Sequence, residues 1–326
     1  MDFSGQFLAD TARLFYNIDT DFRGEEFLML NVHSVCGNTF AFETEMAFLP
    51  FYRLNDREII LLDSGFVSSD RQSLTETLKA CDFQVKGIIC SHAHMDHAGN
   101  VQHLCNLYGC RVAAHLIEAA IAATPDSFRK HYGIYTSDDQ GGVEECFTAT
   151  DYITPQTRRL HFCGVDFDIL HLPGHSGGHI GIVTPDGVAY LGDVLMGFPQ
   201  LAASKMPTTQ FLALDLESKR SLHSLQARYY IIAHKAIMEE IHELIDANLA
   251  CLKGKLRDVL AALQGTPTRG EWLLAFCERQ NLRARSERSF AIMEYGFNSM
   301  VTYLEETGQV CSRRVNGNRR YKRKLR

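Results

Sequence analysis

No apolar run of about 18 or more residues occurs in this sequence, so nothing in it reads as a bilayer-spanning helix. Its first 17 residues carry Asp2 and Asp10 and lack the basic start and apolar stretch of an export signal. None of its ten cysteines forms a Cys-x-x-Cys pair. Reduced thiols and a cytoplasmic location are therefore expected. Cys36, Cys90, Cys163 and Cys277 sit in apolar stretches and read as packing residues. Internal repeats and low-complexity tracts are missing too, which excludes solenoids and disordered linkers. Acidic residues are absent from residues 309–326, where eight Lys and Arg stand. Set against the total of −6, that leaves about −14 on the first 308 residues. The body is acidic and the tail basic, so the two parts suit different partners.

What remains is ordinary globular chemistry: 326 residues, 45% hydrophobic and 22% charged. Such a chain can bury most of its apolar surface without staples. Strand patterns fall at 26–34, 38–43, 47–53 and 58–63, punctuated by Gly37-Asn38 and Asn55-Asp56. A helical spacing follows over 69–81. Strand 85–90, helix 99–107, strand 111–114 and helix 116–123 then set a β-α-β-α rhythm. Residues 124–150 are polar and long for a loop, which suits a lid or a variable surface insertion. A second group of strands reads at 158–162, 165–172, 178–184 and 187–192. Beyond it come a helix at 216–227, a strand at 229–233 and a long amphipathic helix at 237–263. Gly265-Thr266-Pro267-Thr268 marks a boundary, giving a body of 1–264 and an appendage of 265–326.

The chemistry concentrates at Ser91-His92-Ala93-His94-Met95-Asp96-His97, directly after the apolar strand 85–90. Three imidazoles and a carboxylate have no packing role at a strand end. Turned there, His92 and His94 can face one ion while Asp96 and His97 face another. Such ligands suit zinc, with iron and manganese as alternatives. Further ligands are offered at other strand ends. Pro173-Gly174-His175 follows one strand, Gly192-Asp193 a second and Ala233-His234 a third. A carboxylate at Asp193 is placed to bridge two ions, and His179 either orients a neighbour or packs.

In that ligand set the sequence resembles the metallo-β-lactamase-fold hydrolases, nearest to the glyoxalase II type. The motifs run in the family's order: Leu62-Asp63-Ser64-Gly65, His92-Ala93-His94-Met95-Asp96-His97, Gly174-His175, Gly192-Asp193 and His234. The resemblance implies a four-layer αββα sandwich of the α/β class. It implies one metal on His92, His94 and His175 and a second on Asp96, His97 and His234, with Asp193 bridging and Asp63 holding a ligand in place by hydrogen bonds. The implied enzyme is a binuclear metal-dependent hydrolase. Hydroxide from a shared water would attack a small-molecule thioester, ester or lactone, with Asp96 also orienting the nucleophile and taking its proton. A metal-dependent (ribo)nuclease and a mononuclear iron dioxygenase of the same fold are the alternatives. Asp193 stands where the best-known β-lactamases of the family carry Cys, which argues against antibiotic hydrolysis.

Residues 265–326 resemble a winged-helix appendage: helices at 270–280 and 287–306, then a basic hairpin turning at Asn316-Gly317. Nucleic acid is one partner for such a wing. The preferred reading is an accessory element that closes the active site or forms a homodimer contact, since charge runs are usually solvated. His131, Tyr132 and Phe198 are candidate pocket liners.

Overall fold

The computed structural model describes residues 29–132, 146–284 and 287–324. Two sheets face one another. The first has seven strands in chain order: β1 (Asn31–Cys36), β2 (Thr39–Glu43), β3 (Phe48–Arg53), β4 (Glu58–Leu62), β5 (Gln84–Cys90), β6 (Arg111–His115) and β7 (Asp151–Ile153). β1 to β4 form an antiparallel meander, and β4 to β7 run parallel. The second sheet holds β8 (Arg159–Phe162), β9 (Val165–His171), β10 (Ile180–Val183), β11 (Val188–Tyr190), β12 (Tyr229–Ile232) and β13 (Ala236–Met238), in the order 13-12-11-10-9-8. Its one parallel pair is β11 with β12.

Side-chain alternation explains the layers. Ile60, Leu62 and Ile89 point into the core between the sheets, where they meet Phe167, Ile182, Tyr190 and Ile231. Ile59, Leu61 and Ile88, one step out of phase, pack against the helices Val67–Ala80 and Val101–Tyr108 through Leu74, Leu78 and Leu104. β11 and β12 divide the same way. Val188, Tyr190, Ile231 and Ala233 face the first sheet, while Ala189, Leu191, Tyr230 and Ile232 face Leu244 and Ile245 of helix His242–Ala261. Strands apolar on both faces need a layer on each side, so the result is helix, sheet, sheet, helix. The parallel strands of both sheets end at one edge, and that edge gathers Asp63, Ser91, Asp193 and His234.

Some elements differ from the sequence reading. The pattern at 237–263 is not one helix: β13 occupies Ala236–Met238, and the helix begins at His242. Lys235 adopts a left-handed φ of 61° that turns the chain back onto β12. The helix expected at 216–227 starts earlier, at Leu212, and ends at Ser221. The segment read as a long loop opens with a helix, Pro125–Tyr132. Residues 133–145 lie outside the described residues.

The C-terminal part has helices Arg269–Arg279 and Glu287–Glu306 and a hairpin, β14 (Val310–Val315) with β15 (Asn318–Arg323). Asn316 and Gly317 take φ of 49° and 81°, as the expected two-residue turn requires. Arg269–Arg279 starts with a capping box between Thr268 and Glu271. Trp272, Phe276, Phe297 and Tyr321 share one core with Leu212, Leu216, Leu252 and Val259 of the body. Two wing arginines are already engaged, Arg319 with Glu305 and Arg320 with Glu271.

Candidate metal centre

The seven residues singled out from the sequence converge. Ligand atoms of His92, His94, His175 and Asp193 lie within 4.8 Å of one another, as do those of Asp96, His97, Asp193 and His234. Asp193 belongs to both groups. Its Oδ2 is 3.3 Å from His175 Nε2, and its Oδ1 is 3.2 Å from His97 Nε2 and 3.4 Å from His234 Nε2. One carboxylate thus turns one oxygen toward each group. Asp96 Oδ2 stands 3.7 Å from both His97 Nε2 and His234 Nε2. In the first group, His94 Nδ1 is 2.9 Å from His92 Nε2 and 2.8 Å from His175 Nε2.

The far side of three of the rings is anchored, which fixes the nitrogen each presents. His97 Nδ1 meets Asp63 Oδ2 at 2.8 Å, His175 Nδ1 meets the Thr208 carbonyl at 3.1 Å, and His234 Nδ1 meets the Met46 carbonyl at 3.3 Å. Their Nε2 atoms are left to face inward. Asp63 is fully buried and takes a left-handed φ of 65° just past β4. It accepts from the Ser91 amide and hydroxyl, each at 2.6 Å, and from Tyr190 Oη at 2.6 Å. Asp63 therefore ties the His92 loop and the His97 ring to β4 and β11. Asp63→Asn puts an amide donor where four donors already point. It is expected to weaken metal binding roughly 10- to 100-fold in a chelator competition, and unchanged affinity would contradict this role.

His179 orients a neighbour, the first of its two sequence readings: its Nε2 accepts from the Asp193 amide at 3.0 Å. Gly174 has a φ of 140°, and a Cβ there would come within 2.2 Å of Asp215 Cα. Only glycine lets the His175 loop pass so close to helix Leu212–Ser221. Of the pocket liners expected, Phe198 is half exposed, His131 Nε2 is 3.3 Å from Gln210 Nε2, and the Tyr132 side chain lies outside the described residues.

Glu118 was missed. It is fully buried in helix Leu116–Ala122. Its Oε2 accepts from the Ala93 amide at 2.9 Å, and its Oε1 from Ser176 Oγ at 2.8 Å and the Gly178 amide at 2.7 Å. One carboxylate thus clamps the loop of His92 and His94 to the loop of His175. In Glu118→Gln the amide NH2 must confront one of these donors. Affinity on the His92, His94 and His175 side is expected to fall about tenfold or more while the other side holds, as read by two-site metal titration. Equal loss at both sides would mean general loosening instead.

Electrostatics divide the cluster. Burial pushes His94 down to about 4 and His179 to about 3, and holds His92 and His175 well below their ordinary range. Asp193 lifts His234 to about 9. Burial pushes His97 down, but Asp193 and Asp96 push harder, and the net is well above the usual imidazole value. Burial likewise raises the Asp193 carboxyl, yet His97 and His234 outweigh it and hold it well below. His97 Nε2 and Asp193 Oδ1 are buried without a hydrogen-bond partner, although they are 3.2 Å apart. Buried polar atoms left in this way carry a penalty that a cation would remove. Converging imidazoles, a bracketing carboxylate and these two orphaned atoms fit divalent metal, and the chain carries a metal-binding His/Asp cluster.

A sequence model described as the metallo-beta-lactamase superfamily matches residues 51–234, more than half of the chain and all seven of these residues. A hydroxyacylglutathione hydrolase, GloC, of Haemophilus influenzae is 25% identical over 144 residues, which are 43% of this chain and 63% of that protein. The chain thus spans less than two thirds of that relative's length. An atrochrysone carboxyl ACP thioesterase of Passalora fulva is 24% identical over 265 residues, 78% of this chain and 69% of that protein. Among solved structures, a metallo-beta-lactamase family protein of Thermus thermophilus has a TM-score of 0.66 at 22% identity, covering 85% of this chain and 94% of that one. A beta-lactamase domain protein of Burkholderia ambifaria has a TM-score of 0.67 at 16% identity, covering 94% and 98%. At those identities the structural likeness speaks for the fold alone.

Proposed function

The chain belongs to the metallo-beta-lactamase superfamily and is a metallo-hydrolase of it; from that premise we propose a binuclear, zinc-dependent enzyme that hydrolyses small-molecule thioesters, esters or lactones. The split of the Asp193 carboxylate carries this reading, because a carboxylate that turns one oxygen to each of two donor groups suits two ions rather than one. His92, His94 and His175 would hold the first, Asp96, His97 and His234 the second. Bound there, the pair would supply Lewis acidity and bring the pKa of a water from about 15.7 toward neutrality.

The chain's own groups do the rest. Asp96 is partly open, its side chain 31% exposed, so it can orient a nucleophile and accept its proton at a carboxylate oxygen. Asp63 and the Thr208 and Met46 carbonyls keep the imidazoles aimed inward and supply no proton. No side-chain nucleophile is required. The rim favours an organic substrate. Ile117 and Phe211, both exposed, approach Gly177 just beyond His175, and exposed Met46 sits beside His234. Apolar side chains at the mouth suit the body of an acyl compound. The named hydrolase and thioesterase relatives point the same way.

Metal analysis joined to a substrate panel tests the proposal. About two zinc ions per chain are expected, with turnover of a chromogenic thioester, ester or lactone that chelation abolishes and zinc restores. One iron per chain, or faster cleavage of labelled single-stranded RNA than of every acyl substrate, would overturn it.

A further inference from the structure

One sizeable cavity lies away from the metal cluster. It is a groove of about 480 Å3 on the outer helical face, where helices Leu212–Ser221, His242–Ala261 and Glu287–Glu306 meet. Leu216 and Leu249 are among the leucines of its floor, Tyr303 forms a wall, and Arg220, Lys253 and Arg257 stand at its rim. Helix periodicity accounts for this mixture. Leu249, Lys253 and Arg257 follow one another at intervals of four and lie on one face of the long helix.

We propose that this groove binds a phosphorylated nucleoside. Charge points there first. No Asp or Glu lines the groove, although the first 308 residues carry about −14 in total. Some cations of this chain are paired, as Arg57 with Asp82, Arg159 with Asp168 and Arg319 with Glu305. Arg220, Lys253 and Arg257 have no ion-pair partner among the described residues. Three uncompensated cations from two helices, two of them guanidinium forks, make a receptor for a multiply charged oxyanion. Shape points the same way. A solvated basic surface needs no hollow, whereas 480 Å3 lies within the usual range for small-molecule sites. A phosphate alone would leave the leucines and the Tyr303 ring uncovered. A ligand with a flat apolar body covers them and can stack on that ring. Leucine floor, aromatic wall and cationic rim together match a base at one end and phosphates at the other.

The groove would take this ligand whichever substrate the metal centre turns over. Helix Leu212–Ser221 does connect the two places. Leu216 and Arg220 line the groove, while Asp215 and Lys219 line the cavity shared by His175, Asp193 and His234.

Calorimetry with adenosine 3′,5′-bisphosphate on the full, metal-loaded protein tests it, with adenosine and inorganic pyrophosphate as separate probes. The bisphosphate is expected to bind at micromolar concentration, at least tenfold tighter than either fragment. Arg220→Ser with Arg257→Ser should weaken it tenfold or more, and so should Tyr303→Ser. Thermal melts of the double variant, whose two sites are exposed, should stay near the parent's and show that folding is intact. Pyrophosphate binding as tightly as the bisphosphate would reduce the groove to a plain anion patch and overturn the proposal. Absence of bisphosphate binding at 1 mM, or unchanged affinity in the double variant, would overturn it as well.

Discussion

Asp193→Ala is expected to lower kcat/KM by about a thousandfold or more and to take bound metal below two ions per chain. Asp193 is the one residue common to the group of His92, His94 and His175 and the group of Asp96, His97 and His234. Removing it deletes an oxygen near His175 and another near His97 and His234. It also deletes the negative charge that offsets the buried cationic side of the cluster. Several kcal/mol of transition-state stabilisation is the usual metal contribution, and about 1.4 kcal/mol corresponds to each factor of ten in rate. Asp96→Ala is the informative comparison. Asp96 touches one group and is partly exposed, so its loss should free one ion and leave the other. Metal analysis of the gel-filtered variants, with a circular dichroism melt to show intact folding, separates the cases. Two ions retained in Asp193→Ala would mean that the shared carboxylate has been misassigned.

The residues that converge in the cluster were legible in the sequence because their chemistry is unusual for their positions. Three imidazoles and a carboxylate directly after an apolar strand have no packing explanation, and His175, Asp193 and His234 repeat the pattern at other strand ends. Their supports were not legible. Glu118 sits in the first turn of a mostly apolar helix, where a lone acid ordinarily complements the helix dipole. Nothing local says that its carboxylate reaches Ala93, Ser176 and Gly178, residues 25 to 60 positions away. Tyr190 likewise reads as a strand residue, and its hydroxyl on Asp63 spans 127 positions. The sheets were traced well where apolar runs were bounded by Gly and Asn. β13 was lost because Ile237, Ile241 and Leu244 continue a helical spacing, while the turn before it rests on Lys235, a residue that does not advertise a left-handed conformation. The appendage is the third case. The sequence led to an expected boundary at Gly265, but the sharing of a core across that point depends on side chains far apart in the chain.

That sharing sets up the second large effect. Trp272→Ala is expected to cost about 3–5 kcal/mol, the range for emptying a large aromatic site in a packed core. The indole is fully buried, meets Phe297 at 5.5 Å and Tyr321 at 5.7 Å between ring centroids, and donates to the Val259 carbonyl at 2.8 Å. Loss of that donor leaves a buried carbonyl unsatisfied and adds about 1 kcal/mol or more. The consequence should travel. The same core contains Leu212 and Leu216, whose helix packs Asp215 against Gly174 beside His175. From the other side, helix Glu287–Glu306 holds the loop that reaches His175: Ser299 Oγ donates to the Gln210 carbonyl, and Gly296 lies against Pro207. Secondary-structure melting and metal release, the latter followed with a chromophoric chelator, should therefore fall together in this variant. The expected shift is about 5–15 °C, scaled from the usual dependence of Tm on stability. Two separate transitions, with metal release at the parent temperature, would show residues 265–326 to be an independent appendage. A joint shift would mean that the C-terminal helices form one wall of the metal centre, and that the His175 loop is held from both its own strand and the far end of the chain.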